Sequence, residues 1–162
     1  MCFIKVITED NYGPLFIKAD RDMVVYKTLN VSRTRILGFD LEKYQSVVQG
    51  FKYKKNKLYT TTIVPEIHLF RSSYLDSPVA RIEINEGFHS FKYLSLCDEQ
   101  YGEPALFIIP KGAYYMVNHN EGKYITYVSN QIIFKKMISV EERADIVYHE
   151  FLNRNNKDNK NK

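Results

Sequence analysis

Five consecutive apolar residues, Ala105-Leu106-Phe107-Ile108-Ile109, are held between Pro104 and Pro110, and this run constrains the fold more than any other feature. It is too short for a helix and too apolar for an exposed edge. It predicts a central strand covered on both faces. A central strand needs partners, and the chain supplies them. Segments rich in β-branched and aromatic residues recur between turn residues. They are Leu15-Phe16-Ile17 after Gly13-Pro14, Met23 to Leu29 after Asp20-Arg21-Asp22, Phe51 to Tyr53, Lys57 to Val64, Ile67 to Phe70 and Val79 to Ile84. Ala113 to Val117, Lys123 to Val128 and Gln131 to Phe134 follow the central run. In the Val79 segment, Val79, Arg81 and Glu83 alternate with Ala80, Ile82 and Ile84, which predicts one apolar and one charged face. Asn118-His119-Asn120-Glu121-Gly122 reads as a hairpin loop, because Asn and Gly tolerate positive φ. Met1 to Ile7 lacks a basic leader and a small-residue cleavage site, so it reads as a first strand and not a signal peptide.

Helical signals are fewer. Ser139-Val140-Glu141-Glu142 matches a capping box, in which the serine hydroxyl and the glutamate each satisfy an exposed amide. Behind it Val140, Ala144, Val147, Tyr148 and Phe151 recur at helical spacing, predicting a stripe packed on the sheet and an end near Leu152. A second helix is expected from Phe91 to Tyr101, capped by Ser90, with Leu94, Cys97 and Tyr101 inward and Gly102 as its stop. A third turn of helix is expected at Leu41 to Val48 after Asp40. The fold class is therefore α+β: a strand-rich single domain with a mostly antiparallel, twisted sheet and two or three short helices. Residues 1–152 form the globular domain and residues 153–162 a disordered basic tail.

Charge and cysteine narrow the function. After Leu152 the chain carries four basic residues and one acidic one, so most of the net charge of +4 belongs to the tail. A nearly neutral body disfavours nucleic acid as a partner. No window approaches the roughly 18 to 20 apolar residues that cross a bilayer, so no membrane partner is expected. Two cysteines, Cys2 and Cys97, are too few for a disulfide scaffold or zinc site and favour a reducing, cytoplasmic setting. There is no glycine-rich phosphate loop, Gly-x-Ser-x-Gly elbow, Cys-x-x-Cys pair or His-Glu-x-x-His motif, and no cofactor is expected. His68, His89, His119 and His149 are dispersed, so no metal is expected either.

One cluster looks like a site. Asn85-Glu86-Gly87-Phe88-His89-Ser90-Phe91 reads as a strand-to-helix junction, where Gly87 supplies an unusual backbone angle while His89 and Ser90 sit at a helix N-terminus that attracts anions. A capped turn with His89 bonded locally would explain the same residues. Pro110-Lys111-Gly112 turns sharply out of the central strand, and Tyr127-Val128-Ser129-Asn130 ends a later one.

Val25-Tyr26-Lys27, Gln49-Gly50-Phe51-Lys52-Tyr53, Gly87-Phe88-His89-Ser90-Phe91, Ile109-Pro110-Lys111-Gly112 with Tyr114-Tyr115, and Tyr127-Val128-Ser129-Asn130 together resemble a group of uncharacterised bacterial and phage proteins. That resemblance covers roughly Asp22 to Phe134 and implies a bacterial or phage setting. The order of Tyr26-Lys27, Phe88-His89-Ser90, Ile109-Pro110-Lys111-Gly112 and Ser129-Asn130-Gln131 is more distantly similar to ADP-ribosyltransferase folds. Lys27 stands where those folds place arginine or histidine, and no glutamate stands where they place their catalytic acid. The resemblance thus implies a nucleotide-like ligand held without turnover. The leading expectation is a non-catalytic binding protein, a phage or mobile-element accessory factor holding a small anionic or nucleotide-like ligand or a host protein. Tyr26, Lys27, Gly87, His89, Ser90, Lys111, Tyr127 and Asn130 would line its site. The alternatives are an ADP-ribosyltransferase-like enzyme using Glu86 or Glu121 as the acid, and a structural or protein-interaction module.

Overall fold

The run from Ala105 to Ile109 is the middle of a strand in the middle of a sheet. The computed structural model describes residues 3–7, 15–47, 50–71, 78–84, 86–120 and 124–158. Its strands in the first half are β1 (Phe3–Ile7), β2 (Ile17–Lys18), β3 (Met23–Ile36), β4 (Phe39–Ser46), β5 (Lys52–Tyr53), β6 (Leu58–Thr60) and β7 (Pro65–Arg71). Then come β8 (Pro78–Ile84), β9 (Phe88–Phe91), β10 (Glu103–Ile109), β11 (Tyr114–Asn120), β12 (Tyr124–Ser129) and β13 (Gln131–Met137), closed by helix α1 (Val140–Asp158). Two short 3-10 turns, Leu94–Leu96 and Glu99–Tyr101, precede β10.

The large sheet runs β2-β11-β12-β9-β3-β10-β13-β6, with β4 on β3 and β5 on β4, and β1-β8-β7 form a second, three-stranded sheet. Every pairing is antiparallel. Ala105, Phe107 and Ile109 are fully buried on one face of β10, together with Val25 and Leu29 of β3 and Ile132 and Phe134 of β13. Burying each of the Phe107 and Phe134 rings contributes about 2–3 kcal/mol. On the opposite face Leu106 packs with Tyr26, Leu94, Cys97 and Ile138, under Ile146 and Val147 of α1. The expected central strand is thus covered on both sides.

The sheet curls. A flat sheet would hold β9 and β6, which have three strands between them, about 19 Å apart. Yet the Phe51 ring lies 5.8 Å from the Phe88 ring of β9 and 5.2 Å from the Tyr59 ring of β6. The same curl draws Tyr44, Tyr53 and Tyr127 into the core that β10 builds.

β8 alternates as expected in the residues whose burial is described: Ile82 and Ile84 are buried, Arg81 exposed and Glu83 half-buried. The capping box also forms, with Glu142 N–H donating to Ser139 Oγ and Ser139 N–H to Glu142 Oε2, each at 3.2 Å.

Three helical expectations are corrected. Leu41 to Ser46 lie in β4, where Asp40 sits opposite Arg35 and is no helix cap. The turn that starts this strand is Leu37-Gly38, both at positive φ (50° and 84°), so β3 and β4 form one long hairpin. Ser90 is no cap either, because it lies within β9, and Phe91 to Tyr101 holds only the two 3-10 turns. The helices therefore reduce to one long helix plus two turns. That helix runs to Asp158, past the expected end near Leu152, so the first part of the expected tail is helical. Its docking face also differs. Val140, Tyr148 and Phe151 are 81%, 61% and 60% exposed. The face turned to the sheet holds Ile146 and Val147 beside three charged residues that reach the Tyr93–Cys97 segment. Glu150 accepts the Leu94 and Ser95 N–H groups at 2.7 and 3.2 Å, Arg143 donates to Cys97 O at 3.2 Å, and the Arg154 guanidinium lies 3.9 Å from the Tyr93 ring centroid. Hydrogen bonds to charged groups, at about 1.5–3 kcal/mol each, set the helix rotation against the apolar stripe.

At the loop expected at Asn118 to Gly122, β11 continues to Asn120, through the first three residues of that loop; residues 121–123, including Glu121, lie outside the described residues. No helix among the described residues is long and apolar enough to cross a membrane.

Candidate functional site

Strand β3 explains why a lysine is enclosed here. Leu29 pairs with Glu103 of β10 and also with Ser46 of β4, so β4 occupies the edge of β3 that β9 takes lower down. β9 meets β3 only at Tyr26–Phe91 and then leaves to let β4 in. Lys92 N–H donates to Ile125 O at 3.0 Å, which by antiparallel alternation turns the backbone groups of His89 and Phe91 toward β3. His89 C=O therefore faces a gap where a ladder partner would stand. The Lys27 ammonium reaches into it and donates to His89 O.

Lys27 alternates with Val25 and Leu29, which places it on the inner face of the curled sheet. Burial pulls its pKa down from 10.5 to about 8. His89, on β9, is held neutral: burial first, then the Lys27 charge, lower its pKa to about 4. Ser90 is 3% exposed, and its buried Oγ has no hydrogen-bond partner among the described residues. Tyr127 of β12 pairs directly with Ser90 and packs its ring edge-on against Tyr115 at 5.6 Å. Burial pushes its phenol up to about 12.

Lys27, Ser90 and Tyr127 are thus brought together on the inner face of three neighbouring strands, and His89 meets them through its carbonyl, since its side chain alternates with Ser90 to the opposite face. The other sequence candidates are not. Tyr26 points to the opposite face, with Leu94, Cys97 and Ile138. Lys111 follows the far end of β10: Ile109 pairs with Met23 four residues beyond the Ala105–Lys27 pair, about 14 Å along the strand, and Lys111 lies two residues further. Its N–H is held by Asp22 Oδ1 at 2.8 Å and its side chain is exposed, so the expected meeting of Lys111 with Lys27 and His89 does not occur. Asn130 has a turn role: its Oδ1 accepts Tyr114 N–H at 2.8 Å, its N–H donates to Tyr114 O, and its carbonyl accepts Thr61 N–H.

Gly87 belongs to a second feature that sequence reasoning saw only in part. It leads into β9 at φ +126°, against Val128, and lines a shallow cleft of about 180 Å³ with Phe51, Thr60, Thr61, Glu86 and Phe88. Neither Lys27 nor Ser90 lines this cleft; Phe88 separates the two features by one strand alternation. The Thr60-Thr61-Thr62 run was the signal available for its other wall. Among the described residues no group of three or more His, Cys, Asp or Glu could hold a metal ion.

Comparisons of this chain with protein-family models, with curated proteins and with solved structures find no match.

Proposed function

We propose that this chain is a non-catalytic binding protein that holds a small anionic or nucleotide-like ligand at the gap between β3 and β9, against Lys27 and Ser90. One observation carries the reading. An ammonium has three donors, and among the described residues Lys27 uses one, toward His89 O, while the buried Ser90 Oγ beside it has no partner. A buried polar group left unpaired costs about 1–3 kcal/mol, and a ligand oxygen satisfies both groups at once. The buried, reduced Cys97 fits a cytoplasmic setting, and the motif resemblance points to a bacterium or phage.

Scanning fluorimetry with inorganic phosphate, nucleoside phosphates and NAD tests the proposal. The melting temperature of the wild type and of the Lys111→Ala control rises with ligand, and that of Lys27→Met and Ser90→Ala does not. Binding also weakens about tenfold per pH unit above pH 8, as the Lys27 amine loses its charge. An equal response in all four proteins refutes the site.

An ADP-ribosyltransferase-like enzyme is the second reading, and Glu86 favours it as the carboxylate that lines the Gly87 cleft. It predicts transfer of label from NAD to a bacterial lysate protein, lost in Glu86→Gln.

A further inference from the structure

The β3–β4 hairpin runs past the core as a two-stranded ribbon, and its two faces differ in kind. Residues directly opposite share a face. One face holds Arg35 opposite Asp40, Arg33 opposite Glu42 and Val31 opposite Tyr44. Its charges are spent within the molecule: Arg33 makes a two-point contact with Glu103 at 2.7 and 2.6 Å and reaches Glu42 at 3.3 Å, and Arg35 lies 3.9 Å from Asp40.

The other face holds Ile36 opposite Phe39, Thr34 opposite Leu41, Ser32 opposite Lys43, and Asn30 opposite Gln45, with Lys52 beside Gln45. It carries no carboxylate, and neither Lys43 nor Lys52 has an ion-pair partner among the described residues. From Lys43 to Pro65 the chain has five lysines and no acidic residue. The near-neutral total for the domain conceals this local excess. Toward the tip the same face is apolar and wet: Ile36 is 50%, Phe39 74% and Leu41 49% exposed, and Leu37 in the turn is 93% exposed. Leu37 holds φ 50° at a turn position where Asn, Asp or Gly is favoured. A large apolar side chain is held there at a conformational cost while almost fully exposed.

We propose that this face of the β3–β4 ribbon is a docking surface for an anionic lipid bilayer. The order of chemistry along the ribbon selects that partner. Ile36, Leu37, Phe39 and Leu41 come first, and the Lys43 rank follows about 14 Å behind the Ile36–Phe39 rank. A ribbon lying obliquely on this face, tip lowest, sets Ile36, Phe39 and Leu41 at the acyl boundary and the Lys43 rank at the phosphates, within the about 5–10 Å to which interfacial elements sink. The Arg35–Asp40 pair faces away from the lipid when the ribbon lies on this face. A nucleic acid fits less well, because Phe39 is the one ring offered for base stacking on this face while Tyr44 and Tyr53 are turned into the core. A protruding tip needs no spanning helix to act this way.

The chain has no tryptophan, so Leu37→Trp gives a single reporter. Mixed with phosphatidylcholine vesicles containing phosphatidylserine, its emission shifts to the blue and the full-length protein sediments with the vesicles. Pure phosphatidylcholine gives neither effect. In the wild-type background, Lys43→Ala with Lys52→Ala weakens sedimentation about 25-fold, at about 1 kcal/mol per lysine. Leu37→Asp abolishes it, and raised salt weakens it. All these positions are solvent-exposed, and an unchanged melting temperature verifies the fold of each variant. Absence of binding to anionic vesicles at low salt overturns the proposal. So does binding that Leu37→Asp and the double lysine variant leave intact, retention of a single-stranded oligonucleotide in place of vesicles, or self-association through the tip that buries the reporter without lipid.

Discussion

Replacing Gly87 by alanine tests whether the entry to β9 is as closely fitted as its geometry implies. A Cβ built at Gly87 would stand 2.4 Å from Val128 Cγ1, closer than real carbon atoms approach, and 3.6 Å from Ile63 Cγ1. The backbone angle, φ +126°, is itself one that alanine adopts at a cost of about 1–3 kcal/mol. Overpacking a filled site adds about 1–3 kcal/mol more, since Val128 is fully buried between β9 and β11 and has little room to retreat. The expected loss is about 2–6 kcal/mol, read by urea unfolding. At about 2–4 °C per kcal/mol for a chain of this size, the melting temperature falls by roughly 4–24 °C. Gly112→Ala is the control, because Gly112 is also at positive φ (89°) but has nothing within 4 Å of its Cβ position. It reports backbone strain alone. Shaving the obstructing side chain gives a second check. Val128→Ala alone costs about 2–3 kcal/mol as a cavity, but combined with Gly87→Ala the losses fall short of additive by at least about 1 kcal/mol. The reasoning fails if Gly87→Ala loses no more stability than Gly112→Ala, or if the double variant is strictly additive.

Two further outcomes follow from charged groups. The His89 pKa, about 4 when folded against about 6.5 in an open chain, means that the unfolded state binds the extra proton between those values. Stability from this residue is complete above pH 6.5 and is lost as pH falls toward 4, by up to about 1.4 kcal/mol per unit. His89→Gln flattens that acid limb, and urea titrations from pH 7 to 4 that keep the same slope refute the assignment. Glu150→Gln removes the charge that binds Leu94 and Ser95 N–H groups, costing about 1–2 kcal/mol and speeding hydrogen exchange at those two amides; unchanged exchange shows that the contact does not hold α1 in place.

Much of the sheet was legible because strand signals are local. The Ala105–Ile109 run and the Arg81–Ile84 alternation each report burial through their own period, and both are met. The capping box was legible for the same reason. The helix face was not, because Val140, Tyr148 and Phe151 form an apolar stripe by spacing alone, while the face used depends on Tyr93 to Cys97, which no local pattern connects to Glu150 or Arg154. Leu41 and Tyr44 mimic helical spacing in a segment whose register belongs to β3, while Val48, the third residue of that expected turn, lies outside the described residues. The grouping of the candidate residues was legible where motifs fall on adjacent strands. Lys27, Ser90 and Tyr127 meet because β9 stands between β3 and β12. Lys111 and Asn130 read alike in sequence but lie at turns outside that group, and strand order is a long-range property that turn chemistry does not encode.

β3 is a single strand of 14 residues that serves two neighbourhoods, and its partners become available at very different times. On a growing chain, β4 follows it after one tight turn, whereas β9 and β10 are not made until Phe88 and Glu103 emerge. The hairpin therefore forms first, and the half of β3 carrying Val24 and Val25 waits with both edges open. That interval exposes two hydrophobic residues on unpaired backbone, the condition under which nascent strands join the wrong partner.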